Sequence, residues 1–175
     1  MTTSSRTLGE WFEEFEGEAF RLETMDDYSR SGGVEAYQAF LAGEPQPASY
    51  KAADWVATVR KATQAGKRMY RVHILARPLT PYLQFELGWG YQRNAQAGEE
   101  FYILDVTERE NPIPDAPDFW LFDDQNCGVM SYDKAGKYLG SEFVDQDRVA
   151  EFTAYRDVAM AHAEPFSEWW AKYGA

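Results

Sequence analysis

Ionisable side chains set into apolar faces are where this sequence could do chemistry. Glu86 falls between Phe85 and Trp89 on a helical stripe begun by Tyr82, so a carboxylate is carried toward the interior, where an unpaired charge is expensive. Such a group wants a cation. Arg71 and His73 share one face of the alternating run Met69 to Ala76, and Arg21 and Glu23 alternate onto one face after the first helix. Gathered in a low-dielectric site, these residues can polarise a carbonyl, bind a carboxylate ligand or shuttle protons, with Glu86 or His73 as base and Arg71 and Arg21 holding an anion. The same residues can instead form a paired network that only fixes how helices sit on a sheet. Tyr82, Trp120 and Asp123 fit the same polar-in-apolar pattern and complete the candidate pocket.

Familiar catalytic signatures are missing. There is no phosphate loop, dinucleotide fingerprint, HExxH pair, nucleophile elbow or calcium-loop spacing, and no metal site or cofactor is expected. Gly88-Trp89-Gly90 lies inside a helical pattern and follows no strand, the wrong context for a nucleotide loop. His162 reads as a helix-end residue favoured by the negative end of the dipole, and Cys127 as a small apolar residue of a strand. The aromatic tail carrying Trp169 and Trp170 is expected to pack back, with an exposed docking surface as the alternative.

The elements that must position these groups follow from periodicity. Thr7-Leu8-Gly9-Glu10 matches a capping box and opens a first helix read as far as Ala19, followed by a loop from Asp26 to Gly33. Helices are expected over 33–42 and 52–65, each closed by a glycine, and a strand over Met69 to Ala76. Thr80-Pro81 starts a central helix that runs to about Ala97 and ends at Gly98. Glu100 to Val106 reads as a strand, and the prolines at 112, 114 and 117 make the next stretch a loop. Phe119 to Asp123, Cys127 to Tyr132 and Lys137 to Val144 form an antiparallel meander, and Asp145 or Asp147 can cap a long last helix that Pro165 interrupts. The fold class is therefore α+β, a mainly antiparallel sheet of about five strands against N-terminal helices, a central helix and a long C-terminal helix. It makes one domain over 1–175, with 1–7 and 171–175 frayed.

Composition bounds the function. Apolar residues at 45% and aromatics at 16% are far from a disordered chain. With 17 Lys and Arg against 29 Asp and Glu the net charge is −12, which disfavours direct nucleic-acid binding and suits either simple solvation or an acidic face for a basic partner. One cysteine allows no intrachain disulfide, and neither a signal-like start nor a long uncharged run is present, so a cytoplasmic, membrane-free location is expected.

Several runs also carry a family likeness: Ala19 to Glu23, Arg71-Val72 followed by Pro78 to Tyr82 and Glu86, Asn94 to Glu99, Asp118 to Asp123 (DFWLFD), and Met130 to Asp133 with Gly136 and Gly140. Together, from about Leu8 to Pro165, they resemble an actinobacterial family of small proteins known only as a domain of unknown function, number 6879. The resemblance implies no reaction and no catalytic residues; it implies frequent encoding beside helix-turn-helix regulators. The leading expectation is thus an accessory or regulatory module that binds a protein partner, plausibly a basic helix-turn-helix regulator, through an acidic and aromatic surface. The alternative is a binding protein for a small anionic metabolite, or a cofactor-independent enzyme, using the Arg/Glu pocket. A purely structural or toxin–antitoxin role is the third.

Overall fold

The structure is a computed structural model and describes residues 6–174. The first helix, α1 (Leu8–Glu14), begins with the capping box read from the sequence: the Glu10 amide donates to Thr7 Oγ1 and the Thr7 amide to Glu10 Oε2. It stops well short of Ala19. The amides of Glu16, Gly17 and Glu18 donate to the Asp123 carboxylate at 2.8, 2.7 and 2.9 Å, which turns the chain out of the helix and into a strand, β1 (Glu18–Glu23). Local helical spacing is overridden here by a residue more than a hundred positions away.

The chain then runs through α2 (Val34–Leu41), the short α3 (Ala48–Lys51) and α4 (Asp54–Gln64) to β2 (Arg68–Leu75). Thr80 caps α5 (Pro81–Phe85) through the Leu83 amide, and the central helix continues as a π-helical turn (Glu86–Tyr91) and α6 (Gln92–Ala97). After β3 (Glu100–Asp105) come β4 (Phe119–Phe122), β5 (Asn126–Tyr132) and β6 (Tyr138–Phe143), the expected meander. The long helix expected after Asp145, α7 (Val149–His162), follows a 3-10 turn over Gln146–Arg148 without a side-chain cap from either aspartate, and β7 (Glu164–Pro165) leads into α8 (Phe166–Tyr173). Of the ends read as frayed, 1–5 and 175 lie outside the described residues, Thr7 is a cap and 171–173 are helical.

The strands form one mixed sheet of seven, in the order β6-β5-β4-β1-β2-β3-β7, rather than about five mainly antiparallel ones. β1 pairs parallel with β2, and β2 with β3; the other pairs are antiparallel. Two strands account for the difference. β1 was hidden inside a run read as helix and its exit, and β7 is only two residues long. With β1 present, the segments holding α2–α4 and the central helix become crossovers between parallel neighbours.

Period 2 then sorts the side chains. On one face Phe20, Leu22, Tyr70, Val72, Leu104, Phe119 and Leu121 pack against Val149, Phe152 and Ala159 of α7. The opposite face carries two apolar clusters. In the first, Ala19, Met69, Trp120 and Phe122 lie under α4, with Phe12 of α1 against them; in the second, Phe101 and Ile103 lie under Leu83, Leu87 and Tyr91 of the central helix and Trp169 of α8. Trp169 is fully buried and donates to Asp105, so the aromatic tail packs back. Arg21, Glu23, Arg71 and His73 occupy the stretch of this face between the two clusters, because Arg21 pairs in register with Arg71 and Glu23 with His73.

One glycine is fixed by this packing. Gly98 ends the central helix at φ +113°, and a Cβ there would lie 2.6 Å from Thr63 Cγ2, a side chain pinned by its hydrogen bond to the Ala97 carbonyl. Gly98→Ala should cost at least about 1–2 kcal/mol from the backbone conformation alone, read as a lowered urea midpoint; an unchanged midpoint would mean that the helix end relaxes out of the left-handed conformation.

Candidate functional site

The gap between the two clusters is a cavity of about 460 Å³. Its floor is the sheet, and its walls come from α1, α3, α4, the central helix, the 28–33 loop and the β5–β6 hairpin. Phe12, Tyr50, Trp55, Tyr82, Trp120 and Tyr132 give it an aromatic lining.

Arg21 and Asp118 form the most enclosed ion pair. Arg21 Nη2 donates to Asp118 Oδ2 at 3.0 Å and to the Tyr132 hydroxyl, while Nη1 donates to the Leu22 carbonyl. Asp118 also accepts from the Thr24 amide and hydroxyl and from the Tyr28 hydroxyl, so its carboxylate has no spare capacity. Arg71 Nε donates to Glu99 Oε1 at 2.5 Å, and Nη1 lies 3.6 Å from Glu23. Trp55 and Trp120 flank the Arg71 guanidinium, each 5.3 Å from ring centroid to Cζ, and the Trp55 indole N–H donates to Glu99 Oε2.

Glu23, His73 and Tyr91 make a second chain. Tyr91 Oη lies 2.6 Å from Glu23 Oε1 and 2.8 Å from His73 Nδ1, and His73 Nε2 lies 2.8 Å from the Met25 carbonyl. A carbonyl only accepts, so Nε2 carries a proton. The remaining two contacts need two further protons, and a neutral imidazole, a phenol and a carboxylate supply only one. The chain therefore holds one extra proton, on Nδ1 with Glu23 ionised, or on Glu23 itself. Burial would raise the Glu23 pKa, yet the neighbouring His73, Arg71 and Arg21 together hold it down at about 2.

Glu86 is the exception in this network. Its Oε2 is buried without a hydrogen-bond partner, 3.9 Å from His73 Nδ1 and near the Glu23 carboxylate. Burial first, then the neighbouring Glu23, pushes its pKa well above the ordinary carboxylate range. A proton on Glu86 removes the charge and supplies a bond to Glu23. The π turn makes this meeting possible. Five residues of α-helix would leave Glu86 and Tyr91 roughly 140° apart around the axis, whereas the wider turn brings both onto the inner face.

Of the residues singled out from the sequence, Arg21, Glu23, Arg71, Tyr82, Glu86 and Trp120 line the cavity. His73 stands directly behind Glu23, fully buried. Asp123 lies apart, at the end of β4, where it binds the three backbone amides after α1. Sequence reasoning missed Tyr28, Tyr50, Trp55, Tyr91, Arg93, Glu99 and Asp118 as members of the site. Only Asp118 and Glu99 left a trace, inside the DFWLFD and NAQAGE runs. Cys127 is a buried strand residue whose thiol burial pushes up to about 12, and His162 Nδ1 bonds the Val158 carbonyl in the last turn of α7.

Glu23, His73 and Glu86 present ligand atoms within 4.8 Å of one another, the spacing of a metal triad. Both ring nitrogens of His73 are already engaged, however, and Arg71 lies against Glu23. A divalent cation would have to break those bonds and displace the extra proton. No helix of the described residues is long and apolar enough to cross a membrane. The chain matches, over residues 6–171, a family described as a domain of unknown function (DUF6879). No curated protein matches it.

Proposed function

The chain belongs to the DUF6879 family, and for this member we propose a binding protein for a small organic molecule, held in the aromatic cavity above Glu23, Arg71 and Glu86. The observation that carries the reading is the cavity itself. Its volume of about 460 Å³ falls in the range of small-molecule sites, ten of its 22 lining residues are aromatic, and a few convergent polar groups stand on its floor. A network serving packing alone would close over its charges, whereas here the side chains of Arg71 and Glu86 keep a 14% exposure toward an open space.

A ligand of the folded state stabilises it by mass action, about 2.7 kcal/mol at a hundredfold excess over Kd, equivalent to roughly 5–10 °C for a chain of this size. A fragment library screened by thermal shift should give such hits. Gly90 lines the cavity, and a Cβ placed there meets the Tyr50 hydroxyl at 3.2 Å. The Tyr50 hydroxyl must give by a few tenths of an ångström, and Gly90→Leu, checked for folding by circular dichroism, should fill the cavity and lose the response. A silent library, or hits that Gly90→Leu retains, would refute the reading. Docking of a basic protein partner is supported by the net charge of −12 and predicts that silent library, together with salt-sensitive binding of the partner.

A further inference from the structure

The charges around the cavity do not cancel, and the remainder selects a ligand class. Asp118 matches Arg21 at 3.0 Å, and Glu99 matches Arg71 at 2.5 Å. The His73–Tyr91–Glu23 chain with its extra proton is neutral as a unit. That leaves Glu86 and Arg93. Arg93 lines the cavity from α6, places its Cζ 4.0 Å from the Tyr50 ring centroid, and donates to the Tyr50 carbonyl and to Asn94 Oδ1, both uncharged. Among the described residues it makes no ion pair. A chain with a net charge of −12 thus leaves an arginine uncompensated beside an aromatic cavity.

Resting on the reading of the cavity as a ligand site, we propose that its ligand is a planar aromatic monoanion, an aromatic or heteroaromatic acid, whose carboxylate pairs with Arg93 while its ring lies among Tyr50, Trp55, Tyr82 and Trp120. Arg21 and Arg71, the anion holders expected from sequence, have their charges matched by Asp118 and Glu99. Arg93 keeps an Nη2 group free of hydrogen bonds to the described residues and offers one edge of its fork. Glu86 supports the same choice. It faces Glu23 from β1, Arg71 and His73 from β2, Tyr50 from α3, Tyr82 from α5 and Tyr91 from its own turn. Uncharged in that company, it does not repel a carboxylate.

The test is a matched charge series on one ring, indole-3-acetate, indole-3-acetamide and tryptamine, with a second on naphthalene: 1-naphthoate, 1-naphthamide and 1-naphthylmethylamine. Affinities are measured by calorimetry on the wild type and on Arg93→Gln. The acids should bind at least tenfold more tightly than their amides, the amines should be weakest, and Arg93→Gln should bring acid and amide within about threefold. Should Arg93→Gln fail to fold, the wild-type ranking alone decides. Amides equal to acids, or amines tightest, would overturn the ligand class while leaving a ligand site in place. No binding by any member, with a silent fragment library, would remove the ligand site itself and this class with it.

Discussion

Replacing Arg21 with methionine should destabilise the protein by about 3–5 kcal/mol, because it strands a buried carboxylate rather than merely deleting a contact. Arg21 is 4% exposed and Asp118 3%. With the guanidinium gone, Asp118 keeps the Thr24 and Tyr28 donors but no counter-charge. The loss is equivalent to roughly 6–20 °C in Tm for a domain of this length. Adding Asp118→Asn should recover much of it, since an amide still accepts from Thr24 and Tyr28 without carrying charge. Urea unfolding of the wild type, Arg21→Met, Asp118→Asn and the double variant closes the cycle. Strictly additive losses would show that the pair is not coupled and that Arg21 matters only through packing on Tyr28 and Tyr132.

That pair also shows how far the sequence could be read. The alternation of Arg21 and Glu23 about Leu22 was visible, and it correctly placed both charges on one face, because side-chain period is a local property of an extended chain. That this face was interior was not visible. It depends on β1 being a central strand, and β1 exists as a strand because Asp123 captures the amides after α1. The central helix behaved the same way. Its cap at Thr80 and stop at Gly98 follow from local chemistry and were legible, whereas the π turn that aims Glu86 and Tyr91 inward is a tertiary accommodation with no pattern of its own. Asp118 and Glu99 sit in loops beside strands, where neither period 2 nor period 3.6 says which way a side chain points, and Arg93 follows the π turn, which shifts the helical phase. Their roles appear only when the partners are in view.

Glu86→Gln should raise stability, and the gain should grow with pH. In the unfolded chain Glu86 ionises near its ordinary value, about 4.3. In the folded protein burial and the Glu23 carboxylate hold its pKa well above that. Between the two values the native state binds a proton that the unfolded state has released, so stability falls as pH rises, by up to about 1.4 kcal/mol per pH unit, until the folded group itself ionises. Glutamine has no such slope, and its amide N–H can still donate to Glu23 as the protonated acid does. Below about pH 4 the two proteins should therefore be nearly equal, with the variant moving ahead as pH rises and its lead levelling off once the folded Glu86 ionises. Glu23 has the opposite sign. Held down at about 2 by His73, Arg71 and Arg21 against its own burial, its contribution is present above the ordinary carboxylate range and is lost as pH falls toward 2. Removing Glu23 also frees Glu86 to ionise against Arg71, so Glu23→Gln should be partly compensated and the two substitutions should not add. The measurement is urea unfolding of the wild type and Glu86→Gln from pH 4 to 9. A variant less stable than the wild type at pH 8 would mean that Glu86 is ionised and paired in the native protein. The cavity would then present a carboxylate to its ligand rather than a neutral acid, and an aromatic anion would be the wrong molecule for it.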